Sequence, residues 1–332
     1  MIKKLLSLTL IFSLSLVACS NSQPETPSIE DSAPSSSVVE PKYYSPYTGE
    51  EMSKEDFNNK PYMVIVENSS ASRPQSGLSA TDILYETMAE GGIPRFIALF
   101  HKNTVKKIGP VRSARPYFIS IAKNTNLPFA HCGGSQEALD TIAKDSTYMS
   151  INEMAQGSYF WRDNTRKAPH NLYTSSEKLR KFISDKNLSY TPNSNFIFSN
   201  EYWENSILDP LDRIVLKLNK YYSTSYTFKD GYYIKSMDGE EAIDTNTNEA
   251  LKFSNIVIQK TNIITREDGR LNINLDGTGE AYVLSKGKII KGTWRKDSSK
   301  TTILDSNNVE IPLSTGNTIW HIISNDVTVP IE

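Results

Sequence analysis

Cysteine is almost missing from this sequence: Cys19 and Cys132 are the only two in 332 residues. Histidine is scarce as well. His101, His131, His170 and His321 lack the short spacings of a zinc site, so no metal centre is expected. Neither a P-loop nor a dinucleotide-binding glycine fingerprint is present, and no cofactor is expected. Net charge is nearly absent too, at −2, and no nucleic acid is expected as a partner. Acidic residues vanish locally: from Gly91 to Gln136 there is no Asp or Glu, while seven cations stand there (Arg95, Lys102, Lys106, Lys107, Arg112, Arg115, Lys123). Near-neutral globular proteins usually interleave their charges, so an acid-free block raises the question of what its arginines are kept for.

The one long apolar run is Leu5–Ala18, behind Lys3 and Lys4. It is too short to span a bilayer comfortably and has the flanks of a secretory signal. Leu16-Val17-Ala18-Cys19 resembles a bacterial lipobox, whose cysteine is acylated and becomes the mature N-terminus; the alternative is an ordinary signal with an incidental cysteine. The expected layout is a signal peptide over 1–18, then lipidated Cys19 and a Ser/Pro-rich tether over 19–42. The tether has too few large apolar residues to build a core. This places the protein on the extracytoplasmic face of the cell membrane. With Cys19 acylated, Cys132 has no partner for an intramolecular disulfide, so the body depends on its core alone.

Beyond the tether the chain reads as an α+β or α/β protein in two parts. Over 43–200, YMVIV from Tyr62 and RFIALFH from Arg95 read as strands, and a helix begins at Pro116. LPFAHCGG reads as strand and turn, with Ser135 capping the helix that follows. Thr174 to Glu177 reads as a capping box opening another helix. ATDILYETMAE fits either period, since Ile83, Tyr85 and Thr87 alternate while Leu84, Thr87 and Met88 have helical spacing. Strands alternating with helices suggest a mixed α/β domain. Over 201–332 the runs are short, β-rich and broken by Asp-Gly turns, which suggests a mostly antiparallel β domain.

Three stretches carry candidate chemistry. Arg112 and Arg115 bracket Ser113 just before the Pro116 helix, a placement that suits a phosphate or carboxylate at a helix N-terminus, with Arg95 in support. The alternative is that they pair with Asp82, Glu86 or Glu90, acids that could also hold a cation or act as a base. His131, Gly133, Gly134 and Ser135 form a glycine turn into a helix, with backbone N–H groups accessible to a ligand. Arg162, Arg166, His170 and Asn171 lie in an aromatic-rich loop that could grip a sugar and an anion, or simply pack on the surface. Cys132 reads as a small buried thiol rather than a nucleophile, because His131, its neighbour on a strand, points to the opposite face. No catalytic residue is assigned.

RPQSGLSATDILYETMAEGGIPRFIALF, KIGPVRSARPYF, HCGGS, APHNLYTS and GEAYVLSKGKIIKGTW together resemble the YerB-like lipoprotein family. The resemblance covers essentially the whole mature body. It implies two successive domains of unknown function behind a lipoprotein signal and supplies no reaction. A looser similarity of layout, ATDILYE followed by a basic segment and a small-Gly-Gly turn, points to the LytR–CpsA–Psr family, which handles phosphate-linked cell-wall polymers. The reading taken forward is a lipid-anchored module that binds an anionic envelope polymer, a lipid-linked precursor or an envelope protein; the alternative is an enzyme of that second kind.

Overall fold

The run at Tyr62 forms strand β1 (Tyr62–Glu67), and all six of its residues are buried. A strand covered on both faces needs no polar alternation, which explains its continuous apolar sequence. The computed structural model describes residues 41–330 apart from 195, 206 and 299; Cys19, the lipobox and most of the tether lie outside the described residues. ATDILYETMAE becomes strand β2 (Ile83–Met88), with Ile83 and Tyr85 in one apolar cluster and Leu84 in the other. β3 (Pro94–Phe100) follows, then α1 (Pro116–Thr125), with its proline in the first turn where no N–H is needed. β4 (Phe129–His131) leads through the glycine turn into α2 (Gln136–Lys144), where the Ser135 hydroxyl accepts from the Ala138 N–H. Next come β5 (Ser150–Asn152) and α3 (Ser176–Asp185). The cap of α3 is Ser175, which accepts from the Lys178 N–H, and not Thr174 as the capping-box pattern implies. Thr174 instead donates its hydroxyl to the Tyr159 carbonyl.

The second half contributes a small antiparallel sheet of β6 (Arg213–Lys217), β7 (Ser223–Lys229) and β8 (Tyr232–Met237). It then supplies β9 (Asn255–Thr261), β10 (Thr278–Ser285), β11 (Lys288–Asp297) and β12 (Thr318–Ser324). These four do not stay in a sheet of their own. The large sheet runs β11-β10-β9-β12-β2-β3-β1-β4-β5, so strands of both halves share it. Its seam is parallel: β12 pairs with β9 on one side and with β2 on the other. The second half is therefore less purely antiparallel than its hairpin-rich sequence suggests. Hairpin turns are visible locally, whereas pairing between Thr318 and Ile83 leaves no local mark.

Two apolar clusters cover the two faces of this sheet. One gathers Tyr62, Val64 and Val66 with α3 and the small sheet; the other gathers Met63 and Ile65 with α1 and Trp320. A buried polar network crosses between the halves. Lys235 donates to Glu86 at 2.8 Å, to Thr224 at 2.6 Å and to Tyr226 at 2.9 Å, and Tyr226 in turn donates to His321 at 2.7 Å. All three ammonium protons are thus satisfied, which an ion pair buried to this depth requires. No helix among the described residues is long and apolar enough to cross a membrane.

Candidate functional site

β1, β4 and β5 run parallel, and their carboxyl ends lie together at one end of the sheet. Open α/β sheets present their ligand sites at such ends, because the loops leaving neighbouring strands diverge there. Glu67 ends β1, Cys132 follows β4 and Glu153 follows β5. Segment 111–114 threads between β1 and the turn after β4: the Arg112 N–H donates to the Ile65 carbonyl, and the Cys132 N–H donates to the Arg112 carbonyl. The loop carrying His170 and Asn171 is tied to the same segment, the Val111 N–H donating to the Leu172 carbonyl.

Glu67 is the hub. Its Oε1 accepts from Arg112 at 2.7 Å and from the Ser69 hydroxyl at 2.8 Å, and its Oε2 lies 2.7 Å from His170 Nδ1. Burial pushes the Glu67 carboxyl up, but the bonds from Arg112, His170 and Ser69 outweigh it, and the group ends below the usual carboxylate range. Because a carboxylate oxygen can only accept, His170 Nδ1 carries a proton and donates it to Oε2. Beside the hub, Arg162 donates to Asn171 Oδ1 at 3.0 Å and lies 3.8 Å from Glu153. Glu153 also accepts from the Cys132 thiol at 3.2 Å. Burial, reinforced by Glu153, pushes that thiol up to about 11, which disfavours its thiolate.

The acid-free block is acid-free only along the chain. In space Arg112 meets Glu67, Arg115 meets Glu90, Lys102 meets Glu50, Lys107 meets Asp163 and Lys123 meets Asp145. Every one of those acids lies outside the block. Arg95 is half-buried and committed too: it donates to the Ser113 carbonyl at 3.0 Å, and desolvation lowers it to about 10. Arg95 and Arg115 therefore fasten the segment before α1 and do not stand open. Arg166 is committed as well, donating to the carbonyls of Ser72 and Arg73. His131 is a buried staple, with Nδ1–H donating to the Gly133 carbonyl and Nε2 accepting from Ser150; burial lowers it to about 4.

Much of the glycine turn's donor capacity is spent internally. The Gly133 N–H goes to Asn152 Oδ1, the Ser135 N–H goes to the Ala114 carbonyl, and Gly134 bridges to Ala114. The three acids weighed in the sequence separate. Glu90 takes Arg115, Glu86 takes Lys235, and Asp82 accepts from the backbone N–H groups of His101 and Lys102. Of the residues singled out in sequence, Arg112, Arg162, His170 and Asn171 thus come together with Cys132. Glu67, Ser69 and Glu153 complete the cluster without having been foreseen. The signal for Glu67 was available: a carboxylate closing a wholly apolar strand must be paired.

Residues 47–189 match the family described as "Protein of unknown function (DUF3048) N-terminal domain", and residues 213–320 match its C-terminal domain. A Bacillus subtilis (strain 168) protein named "Putative lipoprotein YerB" is 32% identical over 267 residues, which is 77% of this chain and 78% of that protein. The crystal structure of the YerB protein from Bacillus subtilis superposes with a TM-score of 0.78 at 27% identity, covering 87% of this chain and all of the other. None of these matches bears on the layout similarity to the LytR–CpsA–Psr family.

Proposed function

The chain belongs to the DUF3048 family of YerB-like proteins, and from that premise we propose that it is a lipid-anchored binding module of the cell envelope. Cys19 carries the anchor and sets the body on the extracytoplasmic face. The ligand site is the cluster of Glu67, Arg112, His170, Arg162 and Asn171. It takes an anionic group of an envelope polymer, a lipid-linked precursor or an envelope protein.

One observation carries this reading. Separate segments converge on the carboxyl ends of three parallel strands, and they do so with the Glu67 carboxylate turned inward and the guanidiniums of Arg112 and Arg162 more open. The Glu67 side chain is only 6% exposed, against 24% for Arg112, 25% for His170 and 46% for Arg162. The solvent side of the cluster is consequently rich in donors although its formal charges balance. Planar guanidinium forks suit phosphate and carboxylate better than an ammonium does.

The test is calorimetric titration of the full-length protein in detergent with poly(glycerol phosphate) and with inorganic pyrophosphate. Arg162 is the informative position, because it is the most exposed cation of the cluster and its removal leaves the Glu67 hub intact. Arg162→Ala should weaken binding about tenfold or more, the value of a charge-assisted hydrogen bond, with the melting temperature unchanged. Binding that is not saturable, or that is indifferent to Arg162→Ala, refutes the proposal.

A further inference from the structure

Beside the last turns of α1, where that helix packs on the large sheet, a small cavity remains. Tyr85, Ile121, Gln259, Leu275, Trp320 and Ile322 line it, around about 70 Å³ of space. The strand register brings its polar groups together. Tyr85 on β2 stands opposite Trp320 on β12, and Gln259 on β9 stands opposite Ile322, two residues further along β12. Side chains two apart on a strand share a face, so all four project from the face that α1 covers. The Tyr85 and Trp320 rings are 5.9 Å apart between centroids, and Trp320 Nε1 donates to Gln259 Oε1 at 2.9 Å.

Two polar groups are left over here. An indole N–H can only donate, so it takes the oxygen of the Gln259 amide and leaves Nε2 as the unspent donor. Gln259 is 3% exposed and Tyr85 8%, yet Gln259 Nε2 and the Tyr85 hydroxyl have no hydrogen-bond partner among the described residues. Unlike the hydroxyls of Tyr47 and Tyr117, which are sealed away, both keep access to the cavity they line. Buried polar groups are nearly always paired, so two that open on one cavity point to something that enters it. The remaining wall is apolar, formed by Ile121, Leu275, Ile322 and the Trp320 ring.

We propose that this cavity receives the acetamido group of an N-acetylated sugar in an envelope glycan. Size limits the choice: one water takes up about 30 Å³ of liquid, so the space suits a small substituent and excludes a whole sugar ring or an acyl chain. Chemistry narrows it further. The carbonyl of an acetamido group accepts from Gln259 Nε2, its N–H donates to the Tyr85 oxygen, and its methyl lies against the apolar wall. A carboxylate fits less well, because Lys300, which also lines the cavity, is already paired with Glu310 at 2.7 Å. The sugar ring has its own place next door. A wider cleft of about 450 Å³ shares Asn124 and Leu275 with the cavity and adds Tyr148, Asn272 and Asn274. The Asn124 and Asn272 side chains have no partner among the described residues and suit sugar hydroxyls. The site is separate from the arginine cluster, since it stands on β9, β12 and β2 while the cluster stands at the ends of β1, β4 and β5.

The experiment is calorimetric titration of the full-length protein in detergent with three probes: a β-1,4-linked N-acetylglucosamine tetramer, a β-1,4-linked glucose tetramer and tetra-alanine. The glucose tetramer keeps the backbone and lacks the acetamido group, and tetra-alanine supplies amides and methyls without a sugar. Saturable binding of the N-acetylated tetramer alone is expected. Tyr85→Phe should weaken it about three- to tenfold, the scale of one neutral hydrogen bond, and should leave the melting temperature of the free protein unchanged or raised. Thr301 lines the cavity from a half-buried strand position, where an aromatic side chain is tolerated, so Thr301→Phe should fill the space and abolish binding. Arg162→Ala should leave this affinity untouched, which separates the two sites. The proposal falls if the N-acetylated tetramer does not bind, if the glucose tetramer binds as tightly, if only tetra-alanine binds, or if Tyr85→Phe keeps full affinity. A marked drop in melting temperature for Tyr85→Phe would also overturn it, because the hydroxyl would then be serving the fold.

Discussion

Glu67 accepts from donors that reach it from separate parts of the chain, and that makes it the residue on which the cluster turns. Its folded pKa lies below the ordinary carboxylate value. The stability it contributes is therefore fully present above the unfolded pKa and is lost as pH falls through the folded one. Glu67→Gln should cost about 1–3 kcal/mol at pH 7, since an amide cannot accept from Arg112 and His170 together. The gap to wild type should narrow as pH falls below the unfolded value of about 4.3 and close as it passes the lowered folded one. Urea denaturation at pH 7 and pH 3.5 checks this, and a gap independent of pH would contradict it. Arg112 was legible in the sequence because it stands in a cationic stretch. That Glu67 needs a partner could be read from its place at the end of an apolar strand, but which partner could not, since it pairs across 45 positions and nothing in the spacing of residues records that contact.

Elements with a local cause could be read directly. Pro116 opens α1 where a missing N–H is harmless, Ser135 caps α2, and the unbroken apolar run of β1 needs burial on both faces. Where two local causes competed, tertiary context decided. β2 satisfies period two because Ile83 and Leu84 each have a buried face waiting for them, and its helical pattern through Leu84, Thr87 and Met88 is incidental. Thr174 and Ser175 both match a cap, and the bond from Thr174 to the Tyr159 carbonyl moves the helix start by one residue. The candidate site was half legible for the same reason. Its cations and its histidine announce themselves by type, whereas the segment that brings Arg112 between β1 and β4 is defined by backbone bonds to Ile65 and Cys132.

At the scale of the molecule, the two halves matched by separate family models share one sheet. β12, near the end of the chain, lies between β9 and β2, and Lys235 of the second half neutralises Glu86 of the first. Neither half can keep its core when the other leaves. Calorimetric unfolding should accordingly show one transition with equal calorimetric and van't Hoff enthalpies, and two resolved transitions would contradict the shared sheet. The same economy of histidine that marks the sequence gives the most direct test of the binding site. His101, His131 and His321 are buried, and His170 alone is partly open, at the cluster. In a protein labelled with carbon-13 at the histidine ring Cε1, poly(glycerol phosphate) should shift one imidazole signal, assigned to His170 by its loss in His170→Gln, and leave the other three in place. Saturable binding that leaves the His170 signal unmoved would put the anion elsewhere on the protein and contradict the account.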